Sequence, residues 1–151
     1  MSSHTRYRLV MDTLFYTGIQ ALARPLLSGL GGILMLHRVD PRPIGAFDPN
    51  AHLRVSPLFL DHVIRVLKRS HDFVGLDEAA KRIRAGRRAG RRFLVVTLDD
   101  AYRDNLHNAV PVFRRHEIPY TIFVAPGLVE GGATLWWEDL EKAIAARDRF
   151  V

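Results

Sequence analysis

The run FLVVTL at residues 93–98 constrains the fold more than any other stretch, because it is almost entirely apolar and several of its residues favour extended structure. A short, continuous apolar run is typical of a strand buried on both faces, as in a parallel sheet. Similar runs stand at residues 33–36 and in YTIFVAPG at 120–127, and stretches with helical spacing lie between them. This alternation predicts a parallel α/β arrangement.

The stretches between the apolar runs carry specific helix signals. In SPLFLDHVIRVLKRS, Ser56 suits an N-cap and Pro57 suits the first helical position. One apolar face follows at helical spacing, made of Leu60, Val63, Ile64 and Leu67. After a brief predicted strand, DFVGL, a second helix is expected with Asp77 as its cap and Gly86 as its stop. Pro111 must sit in the first turn of a third helix, and WWEDLEKAIAARD predicts a fourth.

The composition sets limits on size and chemistry. With 151 residues, 48% hydrophobic and 25% charged, the chain has the length and composition of one globular domain. It contains no cysteine, which excludes disulfides, thiolate metal ligands and a cysteine nucleophile. Any metal ion must therefore be held by Asp, Glu or His.

The net charge of +6 raises the question of a nucleic-acid partner. Seven of the 22 basic residues lie in KRIRAGRRAGRR at residues 81–92, between a predicted helix and a predicted strand. This segment has no aromatic residue on which a base could stack, so a solvated connector is favoured and no nucleic-acid partner is expected. Binding of RNA or of an anionic membrane is the minor alternative.

The N-terminal part is apolar but interrupted. Residues 9–36 contain charged residues, a proline and four glycines, so no stretch reaches the roughly 20 apolar residues of a membrane span. It also lacks a compact signal-peptide core, which favours a cytoplasmic or membrane-peripheral location. Helical spacing predicts an amphipathic helix that packs on the domain, or alternatively lies on a membrane surface, through Leu14, Phe15, Ile19, Leu22 and Leu26.

Two adjacent carboxylates, Asp99 and Asp100, follow the run at 93–98 directly. Two such charges repel each other and resist burial, so either open solvent or a bound cation must offset the cost. In parallel α/β folds the carboxyl ends of the strands meet at one mouth, where His37 would also lie. The preceding strand disfavours a helical DDxxxD magnesium site with Asp104, and the chain has no GxxxxGK[ST] loop. Metal-assisted hydrolysis remains, with one aspartate on the ion and the other taking a proton from water.

The segment VTLDDAYRDNLHNAVPVFRRHEIPYTIFV resembles the first motif of the polysaccharide deacetylases, the NodB-homology or carbohydrate esterase family 4 group. ILMLHRV, VSPLFLDHVIRVLKRSHDFVGLDEA and LWWEDLEKAI also resemble stretches found in this order in that family, so the resemblance covers roughly residues 30–151. It implies a distorted (β/α) barrel that removes acetyl groups from N-acetylated oligo- or polysaccharides, such as chitooligosaccharides, with zinc or a similar ion. Asp99 matches the catalytic base, Asp100 the metal ligand, and His37 and Tyr102 are candidate substrate contacts.

The division expected from this resemblance is an N-terminal helical extension over residues 1–30 and the N-terminal part of a deacetylase domain over 31–151. Trp136 and Trp137 are expected to pack rather than to stack on a sugar, and His62 and His71 to lie at the surface.

The sequence departs from the family pattern at two points. Ala101 stands where the family has glycine after the aspartate pair, which matters if the position needs a positive φ. No two histidines have the H-[ST]-x-x-H spacing that supplies two metal ligands in the family. The expectation is therefore an apparently truncated deacetylase that binds zinc poorly and is inactive as this chain alone. The alternative is a non-catalytic remnant, or a module of the same fold that binds carbohydrate or anions.

Overall fold

The computed structural model describes residues 3–18, 29–86 and 91–147. The helices in these residues are α1 (Ser3–Tyr16), α2 (Pro57–Leu67), α3 (Leu76–Ala85), α4 (Val110–Arg115), α5 (Pro126–Val129) and α6 (Trp136–Ala145). The strands are β1 (Gly31–Leu36), β2 (Arg38–Val39), β3 (Arg54–Val55), β4 (His71–Phe73), β5 (Arg92–Leu98) and β6 (Thr121–Ile122). A short 3₁₀ turn spans Ala51–Leu53, and a π-helical segment spans Asn105–Ala109.

The main sheet is parallel throughout and is organised around β5. Strand β1 pairs with β5 from Gly31 opposite Phe93 to Leu36 opposite Leu98, and β4 and β6 also pair with β5. Strands β2 and β3 form a separate parallel pair. The expected parallel α/β class is therefore present. The described strands form an open sheet rather than a closed barrel, because β1 ends the strand order without a further partner in this part of the chain.

Strand β5 is the centre of the core, and Phe93 to Leu98 are all buried. One of its faces packs in a cluster with α2, α4 and the residues around them: Val39, Leu60, Ile64, Val96, Leu98, Ala109, Val112, Phe113 and Ile118. The other face packs with Val74 and Ala79 through Phe93 and Val95. Burial on both faces explains why the sequence of this strand is continuously apolar rather than alternating.

Helix α2 begins at its predicted cap, whereas helix α3 does not. The Ser56 hydroxyl caps α2 by accepting a hydrogen bond from the Phe59 N–H at 3.1 Å, as predicted. The predicted cap of α3 is wrong: Gly75 takes that position, and Asp77 lies within the first turn. The chain turns into the helix at once after β4, so an acidic residue in the first turn complements the helix dipole without capping it. Gly86 ends α3 at a φ of 62°, as expected.

The helix after the double aspartate contains a π-helical segment that its sequence does not announce. The Val110 N–H donates to the carbonyl of Asn105, five residues back, before α4 begins. Pro111 then lies in the first turn of α4, as predicted. Because proline has no N–H and crowds the carbonyl four residues before it, a wider turn at this point relieves the conflict.

Two predicted strands differ from their sequence patterns: one is displaced along the chain and the other is shorter. In DFVGL the strand begins earlier, at His71, and ends at Phe73. In YTIFVAPG only Thr121 and Ile122 pair with β5, and Phe123 and Val124 are about half exposed. Thr121 and Ile122 pair with the last two residues of β5, Thr97 and Leu98. The apolar residues after Ile122 lie beyond the end of β5 and are not part of the strand pairing.

The N-terminal helix α1 differs from the expectation of a packed amphipathic helix. Its described side chains are exposed, including Leu14 and Phe15, and its apolar residues are not confined to one face. Ile19, Leu22 and Leu26 lie outside the described residues. Among the helices of the described ranges, none is long and apolar enough to cross a membrane.

In the basic segment, Arg82 pairs with Glu78 and Asp72, and Arg91 also approaches Asp72. Residues 87–90 fall outside the described part of the chain.

Candidate active site at the carboxyl ends of β1 and β5

The structure brings His37 and Asp99 together because they follow paired residues at the ends of adjacent strands. Leu36 and Leu98 are opposite each other in the register, and the Asp99 N–H donates to the Leu36 carbonyl at 2.9 Å. The His37 Nε2 and the Asp99 Oδ2 lie 4.0 Å apart. The two side chains are 29% and 30% exposed, so a solute can reach them. An imidazole and a carboxylate are thus adjacent and accessible at the mouth that the sequence predicts.

The backbone turns sharply at the next two residues. Asp100 has a φ of 67° and Ala101 a φ of 52°, so two consecutive residues adopt the left-handed conformation without being glycine. Each such residue costs roughly 1–2 kcal/mol relative to ordinary backbone. Ala101 therefore occupies a position where glycine would fit without strain. Strained backbone of this kind is often found at functional sites.

Arg38 connects the end of β1 to two other elements. Its Nε donates to the Asp104 Oδ2 at 2.8 Å, and its Nη1 donates to the Glu138 Oε1 of α6 at 2.7 Å. The guanidinium also lies over the Tyr102 ring, 4.7 Å from the ring centre. Burial lowers the pKa of Arg38, but the hydrogen bond and charge of Asp104 outweigh burial and raise the pKa above its ordinary value. Arg38 therefore stays charged and ties the loop after β5 to α6.

The π-helical segment and the residue before it hold the backbone of the β1–β2 connection. The Asp104 Oδ1 accepts a hydrogen bond from the Val39 N–H at 3.3 Å, and the Asn108 Nδ2 donates to the Val39 carbonyl at 2.7 Å. The buried Asn105 amide, oriented with its nitrogen toward acceptors, donates to the His37 carbonyl at 3.0 Å. These three side chains fix the backbone on either side of Arg38 and so position His37. Sequence reasoning missed this group, although the polar residues of YRDNLHN inside an apolar helix were its signal.

Tyr102 borders a cavity of about 210 Å³ between the loop after β5 and α6, which Arg38, Trp137 and Glu138 also line. The Tyr102 hydroxyl and the Trp137 Nε1 are both buried, and neither makes a hydrogen bond of normal geometry. Burial raises the pKa of Tyr102, with the charges of Glu138 and Asp100 adding to it, although the neighbouring indole of Trp137 acts in the opposite sense. The phenol and the indole N–H therefore lie close to each other at the wall of this cavity.

The two tryptophans differ in exposure. Trp137 is half-buried against the cavity, whereas Trp136 is 65% exposed and meets Trp137 edge to face. Packing was expected of both, and only Trp137 packs into the molecule. His62 is exposed on α2, and His71 is partly buried and bonded to Ser70.

The residues present do not make a complete metal site. Within residues 3–18, 29–86 and 91–147, no three His, Asp or Glu side chains are close enough together to bind one ion. His37, Asp99 and Asp100 lie near one another without converging on a point, and His116 is already paired with Asp61 at 2.9 Å. A structural or catalytic zinc needs at least three protein ligands. The predicted zinc site is therefore incomplete in the described residues.

Comparison with solved structures identifies the architecture. The deacetylase PplD of Streptococcus pyogenes, solved in complex with acetate, superposes with a TM-score of 0.57 over 75% of this chain, at 23% identity. IcaB from Ammonifex degensii superposes with a TM-score of 0.53 over 64% of the chain, at 24% identity. The chain therefore shares part of its fold with these two NodB-like deacetylase structures. This agrees with the resemblance seen in the sequence around Asp99 and Asp100.

The extent of the likeness to this deacetylase fold is limited. The chain spans 52% of PplD and 39% of IcaB, so roughly half or less of each structure has a counterpart here. At these identities the likeness concerns the fold. No family model matches the chain, and no curated protein sequence matches it.

Proposed function

We propose that the chain is the N-terminal part of a polysaccharide deacetylase, a metal-dependent hydrolase that removes N-acetyl groups from oligo- or polysaccharides such as chitooligosaccharides. The observation that carries the proposal is the placement of Asp99 beside His37, 4.0 Å apart and accessible, at the strand ends of a deacetylase fold. In parallel α/β folds that position is where ligands bind. The strained turn at Asp100 and Ala101 supports a functional rather than a purely structural role for the loop.

In this proposal the side chains divide the reaction between them. Asp99 accepts a proton from a water whose oxygen attacks the acetyl carbon. The carbon–nitrogen bond then breaks, the sugar nitrogen takes the proton that Asp99 had accepted, and the acyl group leaves as acetic acid, which ionises to acetate. His37 and Tyr102 contact the substrate near the reacting amide. Asp100 supplies one ligand to a divalent ion, zinc in this proposal, and the remaining ligands come from outside the described residues.

The incomplete ligand set predicts weak zinc binding and no appreciable activity for the 151-residue chain by itself. Titration calorimetry with zinc chloride tests the first expectation, and an acetate assay with chitin oligosaccharides tests the second. Asp99→Asn and the exposed Asp139→Asn serve as a matched pair of substitutions. Acetate release that is lost in Asp99→Asn but kept in Asp139→Asn would show that the chain alone is a working enzyme and would overturn the expected inactivity. Acetate release equal in both variants would contradict the role of Asp99.

A second candidate is a non-catalytic carbohydrate-binding module of the same fold. The cavity of about 210 Å³ that Tyr102 and Trp137 line, together with Arg38 and Glu138, favours it. The chain has two tryptophans, so Trp136→Phe leaves Trp137 as the only indole reporter. A saturable change in Trp137 fluorescence with chitin oligosaccharides, without acetate release, would favour the binding module.

A further inference from the structure

Helix α1 carries an exposed apolar stripe. Every side chain from Thr5 to Tyr16 is exposed. Five apolar ones recur at the spacing of one helix side: Tyr7, Val10, Met11, Leu14 and Phe15. Their exposed fractions run from 37% at Leu14 to 69% at Tyr7. The stripe is about 140° wide on a helical projection, and two further apolar residues of the helix, Leu9 and Tyr16, lie outside it.

Arginines flank this stripe on both sides. On a helical projection, Arg6 falls about 40° outside Val10 at one border. Arg8 falls about 20° outside Phe15 at the other border. The acidic residue of the helix, Asp12, lies nearly opposite the centre of the stripe and pairs with Arg8 at 3.9 Å. Because an arginine can lay its methylene groups on an apolar surface and keep its charge in water, both borders suit a boundary between apolar and polar surroundings.

A second copy of the helix offers too little area to cover the stripe. A helix of 14 residues is about 21 Å long, so a stripe about 10 Å wide presents about 200 Å² on each copy. Stable protein interfaces bury roughly 800 Å² on each partner. An exposed helix of this length is also only marginally stable in water by itself. A broad surface that accepts the apolar side chains and the arginines together would stabilise it.

Charge and aromatic content indicate the chemistry of that surface. The chain carries a net charge of +6, and aromatic rings begin and end the stripe at Tyr7 and Phe15. Basic residues beside an apolar face with aromatic rings are typical of helices that lie in the headgroup region of a bilayer. Anionic lipids attract such helices through their arginines.

We propose that α1 binds the surface of an anionic lipid bilayer, with the stripe among the upper acyl chains and Arg6 and Arg8 at the lipid phosphates. Among the described residues no helix is long and apolar enough to cross a membrane, so α1 lies in the plane of the surface. This proposal concerns attachment to a surface and is independent of whether the protein hydrolyses an amide.

Co-sedimentation of the 151-residue chain with lipid vesicles tests the stripe. With vesicles of phosphatidylcholine mixed with phosphatidylglycerol, Val10→Asn should weaken binding about tenfold, because it removes apolar burial from the stripe. Leu9→Asn is the matched control, since Leu9 is 59% exposed against 55% for Val10 and lies outside the stripe. Its effect should stay within about twofold. Leu9→Asn costs at least as much helix propensity as Val10→Asn, so a larger effect at Val10 reports the stripe rather than loss of the helix.

A second pair of substitutions tests the charge. Arg6→Gln should weaken binding to the mixed vesicles about fivefold, and it should change binding to phosphatidylcholine alone by less than about twofold. Arg84→Gln removes the same charge from the exposed end of α3. Its effect on the mixed vesicles should stay within about twofold, because α3 does not contact the lipid in this proposal.

A fluorescent thiol label reports which side of α1 enters the bilayer. The chain contains no cysteine, so Met11→Cys and Thr13→Cys each introduce a single thiol. Met11 lies in the stripe, and Thr13 lies on the other side of the helix. With the mixed vesicles, the emission of a label at Met11 should shift to shorter wavelength and its quenching by iodide should fall. A label at Thr13 should stay accessible to iodide.

Any of four results would overturn the proposal. Equal losses of binding in Val10→Asn and Leu9→Asn would show that the stripe is not the contact. Equal losses in Arg6→Gln and Arg84→Gln would assign the attraction to the net charge of the chain. A label at Met11 that is shielded from iodide without vesicles would show that the stripe packs on the protein itself. A dimer seen by light scattering and dissociated by Val10→Asn would assign the stripe to a second copy.

The acetate assay bears on the proposed function alone, so the two proposals can fail separately.

Discussion

Strands β1 and β5 run side by side in perfect register and yet have different surroundings. From Phe93 to Leu98, β5 is buried on both faces; it pairs with β1 along one edge and with β4 and β6 near the two ends of the other edge. Strand β1, by contrast, alternates between partly buried and exposed residues. The loops that follow them also differ. After β5 the backbone enters two left-handed residues, and after β1 it is held by hydrogen bonds from the π-helical segment. The fold concentrates its burial in β5 and leaves one face of β1 exposed in the described residues.

Truncation of a side chain in each strand should expose this contrast most strongly. Leu98 is fully buried, so Leu98→Ala should lower the free energy of unfolding by about 2–5 kcal/mol through lost burial and the remaining cavity. Met35→Ala should change it by no more than about 0.5 kcal/mol, because the side chain is exposed. Urea unfolding followed by circular dichroism measures both. A loss of stability in Met35→Ala comparable to that in Leu98→Ala would show that the Met35 side chain is covered in the isolated chain.

Removal of Arg38 should produce the next largest effect, because it links the ends of both strands to α6. Arg38→Ala leaves Asp104 and Glu138 without a partner in a partly buried setting, and we expect a loss of about 1.5–3 kcal/mol. Arg65→Ala is the control, since Arg65 is 60% exposed and pairs with Asp61 at 3.6 Å, so its loss should be below about 1 kcal/mol. Equal losses in the two variants would mean that the linkage through Arg38 adds no stability.

Because the turn after β5 is strained, we expect a substitution there to raise the free energy of unfolding rather than to lower it. Ala101→Gly should stabilise the fold by about 0.5–1 kcal/mol. Glycine removes the backbone strain of alanine at a φ of 52°, and this gain in free energy exceeds the cost of the greater conformational entropy of the unfolded glycine variant. Ala80→Gly, inside α3, should destabilise it by about 1 kcal/mol. Thermal unfolding of the two variants should therefore shift in opposite directions. Destabilisation by Ala101→Gly would show that the turn is not strained.

The loop after β2 should respond to pH through one buried carboxylate, that of Asp40. The hydrogen bond from Arg42 holds the pKa of Asp40 below its ordinary value, although burial opposes it. A lowered folded-state pKa contributes stability above the unfolded value near 3.8, and this stability is lost as the pH falls through the folded value. Arg42→Gln should therefore cost more at pH 6 than at pH 2.5, measured by urea midpoints. Equal losses of stability at pH 6 and pH 2.5 would show that Asp40 does not contribute to the sensitivity of the fold to acid.

The sequence predicted those features of the site that follow from strand order. Asp99 and His37 follow apolar runs, and the rule that parallel strands end at one mouth was enough to bring them together. The glycine expected at Ala101 pointed correctly to a positive φ. In the first case a general rule for parallel strands supplies the long-range contact, and in the second the conformation is local to one residue.

The missed features depend on residues far apart in the chain. Arg38 and Glu138 are a hundred positions apart, and no local pattern indicates that α6 reaches the end of β1. The length of β6 is set by the two positions at which it pairs with β5. The exposure of α1 is likewise not encoded in its own sequence, because it depends on contacts with residues distant in the chain. The π-helical segment has an ordinary helical composition, and only the proline after it marks the conflict that the wider turn resolves.

That π-helical segment also makes the chain sensitive to length at this point. Each residue added to or removed from a helix rotates everything beyond it by about 100°. Asp104 and Asn108 bond the same residue, Val39, because the segment between them has its present number of residues. Insertion of one residue beside the exposed His107 would turn Asn108 away from Val39 and move Phe113 out of the core, although His107 itself is at the surface. Between Asp104 and Phe113, the number of residues matters as much as their identity.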